Sequence, residues 1–365
     1  MDKMDIQTWL FLEQVNSCNE PELDTLSIEE ERRKLAQSVL PSPIKSLSIF
    51  DYKISSSETQ IPLRIYVPKK VFENYFPARK KRFSREFKMT RRSQYRDEHI
   101  GETDRLKVTE KISFSREMNY QILSRRKDLL PVYVSMHGGG WVFGSLDSHD
   151  AFCRSISEQA RVIVVSIDYR LAPEHKYPAA FNDCYEAVNW VAKNIQNWSG
   201  DASKLIIGGI SAGGNLAAAV ALKAKESKFP IIKAQVLICP VMQYSFDTHS
   251  YQKYADGYFL TKRDMEFFWN QYLEKVEDGQ QAYASPLLAP DVSKLPSTLI
   301  VLAEFDPLYD EGSAYGEKMK TAGVSVKINK YPTYHGFMSK INEFDISKKA
   351  ITDISEFLKF IEQSI

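Results

Sequence analysis

From Pro131 onward, short β-branched runs alternate with longer stretches of helical periodicity, and nothing else in the chain constrains its fold as tightly. The runs occupy 132–136, 161–167, 204–208, 234–239, 298–303 and 324–331. Strand–helix alternation of this kind predicts a mostly parallel sheet covered by helices on both faces. Two further strand-like runs, 44–54 and 61–67, precede it, and the first fifty residues read as helical up to Pro41-Ser42-Pro43. At 365 residues there is room for about two domains, or for one large α/β domain with appendages.

Composition enters mainly by exclusion. Hydrophobic residues make up 43% and charged residues 26%, which rules out wholesale disorder and allows a core of ordinary size. A formal net charge of +1 offers no global argument for a nucleic-acid or membrane partner. Four scattered cysteines suit neither a disulfide framework nor a metal site. The acidic start Met1-Asp2-Lys3-Met4-Asp5 is unlike a signal peptide, and no apolar run approaches a membrane span, so the expectation is a soluble cytoplasmic protein.

Two segments break the rhythm. Residues Lys69–Asp128 hold 18 Lys/Arg and nine Asp/Glu, a local charge of +9 that leaves −8 on the rest of the chain. Residues Tyr244–Tyr283 hold 11 aromatics in 40 positions, and a connection that long is expected to cover something.

The chemistry is written at the ends of the runs. Gly209-Ile210-Ser211-Ala212-Gly213 follows an apolar run and precedes a good helix former. That strand–turn–helix setting is the one a nucleophilic serine requires, although a glycine-rich turn with an incidental serine has the same local pattern. His137-Gly138-Gly139-Gly140-Trp141 follows the run 132–136. A glycine loop there can turn backbone N–H groups toward one point, as an oxyanion hole needs. Gly138, Gly139 and Gly140, with Ala212 after the serine, are the candidate donors, and His137 is expected to hold the loop by hydrogen bonds.

A serine nucleophile needs a base and a carboxylate. Of the six histidines, His335 in Tyr334-His335-Gly336-Phe337 follows the last run and lies at the sheet end where the serine turn belongs. Asp306 directly follows the run 298–303, whereas its rival Asp310 fits better in the first turn of the next helix. The order Ser211, Asp306, His335 is that of α/β hydrolases.

Taken together, these motifs resemble the hormone-sensitive-lipase family of α/β-hydrolase esterases. The resemblance rests on His137–Ser145, Asp168-Tyr169-Arg170-Leu171-Ala172-Pro173-Glu174-His175, the Ser211 turn continuing to Asn215, Asp306–Gly312 and His335-Gly336-Phe337, in family order over roughly residues 131–340. It implies an eight-stranded, mostly parallel α/β-hydrolase sheet flanked by helices, with a helical cap. In that frame residues 1–45 are N-terminal cap helices and 46–365 the hydrolase domain. The domain carries a basic insertion at about 69–129 and a cap segment at about 240–285. Ser211, Asp306 and His335 are then the triad of a serine carboxylic ester hydrolase acting on short- to medium-chain acyl esters, with no metal or cofactor. A homodimer through the last strand and helix is implied as well.

Two departures stand out. Ile210 occupies a position where the family usually has Asp or Thr, which alters pocket shape or stability rather than the chemistry. Relatives have a short loop in place of the insertion. Within it, Phe72, Phe76, Phe83 and Phe87 would share a helix face among eight basic residues in Ala78–Arg92, though Pro77 interrupts the stripe. Weak docking on a membrane or an acidic protein is one reading of that pattern, and a solvated surface loop is the other. The rival functions are a non-catalytic small-ligand receptor, which the presence of His335 disfavours, and an amide deacetylase.

Overall fold

The computed structural model describes residues 4–18, 21–39, 41–69, 105–107 and 129–363. The expected aromatic stripe at Phe72, Phe76, Phe83 and Phe87, with nearly all of the insertion at 69–129, lies outside them.

Every expected run is a strand. β1 (Leu47–Ser55) and β2 (Gln60–Pro68) form an antiparallel hairpin. A three-residue strand, β3 (Arg105–Lys107), lies parallel to β1 at the sheet edge. β4 (Leu130–Met136), β5 (Ile163–Ile167), β6 (Gly200–Ile210), β7 (Ala234–Ile238), β8 (Ser297–Phe305) and β9 (Val326–Tyr334) are mutually parallel. The sheet order is β3-β1-β2-β5-β4-β6-β7-β8-β9, with β2 antiparallel to β5. Eight strands were expected; β3 adds a short ninth from within the insertion.

The strands read as near-continuous apolar runs because both of their faces are covered. Alternate side chains of β4 and β6 enter different cores. Val132, Val134, Leu205 and Ile207 join one cluster, and Tyr133 and Ile206 the other. The first core is closed by α4 (Ala179–Asn194), α5 (Ala212–Ser227) and α8 (Tyr309–Thr321), the second by α3 (Asp150–Ala160) and α9 (Asp345–Gln363). Burying each such Val, Ile or Leu contributes about 1.5–3 kcal/mol. The Ala217-Ala218-Ala219 run brings α5 close against the sheet with no side chain left exposed there.

Two groups of helices stand outside this layering. α1 (Ile6–Ser17) and α2 (Ile28–Gln37) precede the sheet, while α6 (His249–Lys253) and α7 (Lys262–Tyr272) lie between β7 and β8. Arg263 of α7 pairs with Asp24 at 2.9 Å, joining the groups. Parallel strands point the same way, so the loops that follow β4, β6, β8 and β9 all emerge at one edge of the sheet.

Candidate active site

Ser211 sits between β6 and α5 with φ 57° and ψ −118°, a backbone conformation that costs a non-glycine residue about 1–3 kcal/mol. The turn persists because its surroundings over-determine it. The Ser211 N–H donates to Ile238 O at 2.8 Å, and its carbonyl accepts from Asn215 N at 3.1 Å. Gly213 is required by a close approach: a Cβ there would lie 2.1 Å from Met136 O of the neighbouring strand. The serine is thereby lifted to the start of α5, where the helix dipole places positive potential.

Asp306 follows β8 and His335 follows β9, and the structure brings both to Ser211. His335 Nε2 lies 2.9 Å from Ser211 Oγ, and His335 Nδ1 lies 2.7 Å from Asp306 Oδ2. Asp306 Oδ1 accepts from Leu308 N at 2.9 Å, which sets the plane of the carboxylate. Because a carboxylate only accepts, Nδ1 carries the ring proton and Nε2 is left to receive one from the serine. All three residues are at least nine-tenths buried. The rival, Asp310, is occupied elsewhere and accepts from Ser250 N at 2.7 Å.

The glycine loop after β4 can be read one peptide at a time, since C=O and the following N–H point in opposite directions across a trans peptide. His137 Nδ1 lies 2.9 Å from Gly138 O, which only accepts, so Nδ1 is protonated; Gly138 O is pinned and the Gly139 N–H is turned the other way. Gly139 O accepts from both Val142 N and Phe143 N, at 3.0 and 2.8 Å, which turns the Gly140 N–H outward in the same manner. Among the described residues neither N–H is spent on another hydrogen bond. Gly139 and Gly140 hold φ of 112° and 58°, the left-handed region that favours glycine.

Gly138, expected among the oxyanion donors, is a correction. Its N–H is directed at His149 Nε2, 3.3 Å away. The sequence gives His149 no place in the site, because it comes before any later strand end that could bring a catalytic acid beside it. Burial lowers the pKa of His137 to about 4. It lowers that of His149 to about 3, with the neighbouring His137 adding to the effect. Both rings are therefore neutral near pH 7, as acceptance at His149 Nε2 requires. His137 stacks on Tyr169 at 4.1 Å, and the Tyr169 hydroxyl donates to His137 O at 2.8 Å.

Aromatics of the β7–β8 segment roof the site. A Cβ on Gly140 would meet the Phe268 ring at 2.3 Å, and one on Gly336 would meet Phe259 at 2.6 Å. Trp141 stacks on Tyr272 with ring centroids 4.2 Å apart. Ile210 packs against the second core from its half-buried position. Among the described residues one group could hold a metal ion, Cys239 with Asp306 and His335, whose donor atoms lie within 4.8 Å of one another. Two of the three are already hydrogen-bonded to each other.

Comparison with known proteins agrees with this fold. A family model described as α/β hydrolase fold matches residues 133–339. A carboxylesterase of Mycobacterium tuberculosis is 39% identical over 217 residues, 58% of this chain and 68% of that one. A carboxylic ester hydrolase of the same organism is 41% identical over 216 residues, 57% of each chain. An ethyl acetate hydrolase of Pseudomonas putida is 38% identical over 205 residues, 56% of this chain and 64% of that one. The chain thus spans 57% to 68% of the length of these curated relatives. Among solved structures, a thermostable esterase from Pseudomonas putida superposes with TM-score 0.78 at 29% identity, over 98% of this chain and 97% of that one. The hyperthermophilic esterase of Pyrobaculum calidifontis gives 0.76 at 30% identity, over 98% and 99%.

Proposed function

Since the chain belongs to the hormone-sensitive-lipase-like family of α/β hydrolases, we propose that it is a serine carboxylic ester hydrolase. Ser211 is the nucleophile, His335 the base and Asp306 the group that orients the imidazole; Gly139, Gly140 and Ala212 supply the oxyanion N–H groups. As Ser211 Oγ attacks the ester carbonyl, its proton passes to His335 Nε2, and Asp306 stabilises the imidazolium. The developing oxyanion is met by N–H groups fixed in place beforehand, each worth about 3 kcal/mol. His335 then protonates the leaving alkoxide, and water activated by the same base clears the acyl-enzyme.

One observation carries this reading: the Ser211–His335–Asp306 chain of hydrogen bonds, at 2.9 and 2.7 Å, lies at the strand ends that also carry the glycine loop. Short- to medium-chain acyl esters are the proposed substrates. Phe268 close above Gly140 supports a compact acyl space. So does the likeness to an ethyl acetate hydrolase. Residues 1–45 and about 240–285 act as a cap over that space, supported by the Arg263–Asp24 pair between them.

A fluorophosphonate probe and a p-nitrophenyl ester series from C2 to C16 test the proposal. The expected result is labelling at Ser211, loss of both labelling and turnover in Ser211→Ala, and best turnover below C12. A folded protein that neither labels nor turns over any ester would sink it, and a preference for C12 or longer would overturn the acyl range.

A further inference from the structure

Residues 139–143 and 172 form one hydrogen-bonded piece. Gly139 O accepts from Val142 N and Phe143 N, and Ala172 N donates to Trp141 O at 2.9 Å. Two carbonyls of that piece, Val142 O and Ala172 O, end on the same side chain. Arg32 of α2 reaches them from 110 and 140 residues earlier in the chain, with Nε donating to Val142 O at 2.9 Å and Nη2 to Ala172 O at 2.7 Å. The far edge of the guanidinium is held by Glu174, with Nη1 donating to Oε1 at 2.7 Å and Nη2 to Oε2 at 2.9 Å. Arg32 is three-quarters buried, and Val142 and Ala172 lie in the core.

We propose that Arg32 is a positioning residue for the oxyanion loop, clamping the carbonyls of Val142 and Ala172 so that the Gly139 and Gly140 N–H groups stay aimed at the reacting carbonyl. Arg32 touches no reacting atom, and its role rests on the esterase reading above. The guanidinium suits the task because its planar fork presents donors along two edges at once. One edge serves the two carbonyls, and the other is fixed by the carboxylate. A lysine could keep the ion pair with Glu174 but could not hold both carbonyls in that geometry. Residues 139 and 140 have left-handed backbones and no side chains to brace them, so the turn depends on the carbonyls around it. With Arg32 gone, Val142 O loses its donor and the 139–143 turn can relax, leaving the Ser211–His335–Asp306 hydrogen bonds untouched.

The alternative is that Arg32 merely fastens α2 to the body, in which case its loss lowers stability and leaves the chemistry alone. The experiment separates these in the full chain. Arg32→Ala and Arg32→Lys are assayed for kcat and KM on p-nitrophenyl butyrate, and for inhibition by an alkyl trifluoromethyl ketone, whose serine adduct places an oxyanion in the hole. Tm and far-UV circular dichroism report folding. We expect kcat of Arg32→Ala to fall about 10- to 100-fold, less than the roughly 100- to 1000-fold of losing an oxyanion donor outright, because the N–H groups are loosened and not removed. KM should stay within about twofold, and the ketone Ki should rise by the same factor as kcat falls, because only transition-state stabilisation is lost. Arg32→Lys should lie between Arg32→Ala and wild type. A folded Arg32→Ala with kcat and Ki unchanged overturns the proposal, and so does a loss confined to KM. If Arg32→Ala does not fold, Arg32→Lys is judged by the same criteria. Wild-type protein that neither turns over ester nor labels at Ser211 overturns the esterase reading itself and removes the clamp's catalytic role with it.

Discussion

His149 accepts the Gly138 N–H on Nε2, and this bond, with the His137–Gly138 contact beside it, governs where the next peptides of the glycine loop point. Replacing His149 with phenylalanine fills the space and removes the acceptor. A buried N–H left unsatisfied costs about 1–3 kcal/mol, so His149→Phe should lower the urea midpoint and reduce kcat more than it raises KM. The same residue makes an acid-side prediction. Burial lowers the folded pKa of His137 to about 4 and of His149 to about 3, against an unfolded value of 6.5. Between those values the unfolded chain binds more protons, so stability is fully present above pH 6.5 and is lost as pH falls toward 3. His149→Gln keeps an acceptor for Gly138 and removes a titrating ring. Its urea midpoint should therefore drop less than that of wild type between pH 7 and pH 4.5. An equal drop would assign the acid lability to other groups.

At the scale of elements, two helices carry side chains that shape the surroundings of the site. α7 begins with a reciprocal cap in which Asp264 N donates to Thr261 Oγ1 at 3.0 Å and Thr261 N to Asp264 Oδ2 at 2.9 Å, and this helix carries Phe268 over Gly140. Phe268→Ala should shift the best p-nitrophenyl acyl chain to greater length, at a stability cost of about 3–5 kcal/mol for a truncated aromatic. An unchanged chain-length profile in folded protein would place the acyl group elsewhere. α5 carries the second device. Asn215, fully buried, donates from Nδ2 to Val241 O at 2.9 Å and to Ala284 O at 2.7 Å, tying the chain after β7 to the segment before β8. Asn215→Leu strands both carbonyls, and the expected loss, read from urea unfolding, is about 2–5 kcal/mol.

At the scale of the whole molecule, the loops bearing Ser211, Asp306, His335 and the glycine run all belong to residues 129–363. β2 ends at Pro68 and β4 begins at Leu130, so the basic insertion between them connects strands without supplying any of those loops. Excising residues 72–126 should leave Ser211 reactive toward a water-soluble ester, at the expense of the edge strand β3. Loss of turnover in a folded excised protein would make the insertion part of the site. Among the described residues β9 pairs only with β8, at the other sheet edge, and Phe360 of α9 is 64% exposed. A homodimer through these elements predicts a light-scattering mass of twice 41.9 kDa, reduced by Phe360→Lys.

Much of this is legible in the amino-acid sequence itself. Parallel strands buried on both faces must be apolar along their length, so the six runs from Pro131 onward already imply the sheet. The Ser211 turn and the glycine loop are legible for a local reason: a left-handed backbone or a close approach such as Gly213 to Met136 O admits glycine and little else. Asp306 and His335 can be named because a parallel sheet delivers every strand's following loop to one edge, which makes chain order a guide to proximity. What only the tertiary structure decided lacks such a local mark. His149 beneath Gly138, Arg32 on Val142 and Ala172, Phe268 over Gly140 and Asn215 between two loops are ordinary residue types for the places they occupy in the sequence. Their roles come from backbone groups brought near by packing, and a carbonyl or an N–H has no letter in the sequence to announce which partner it will need.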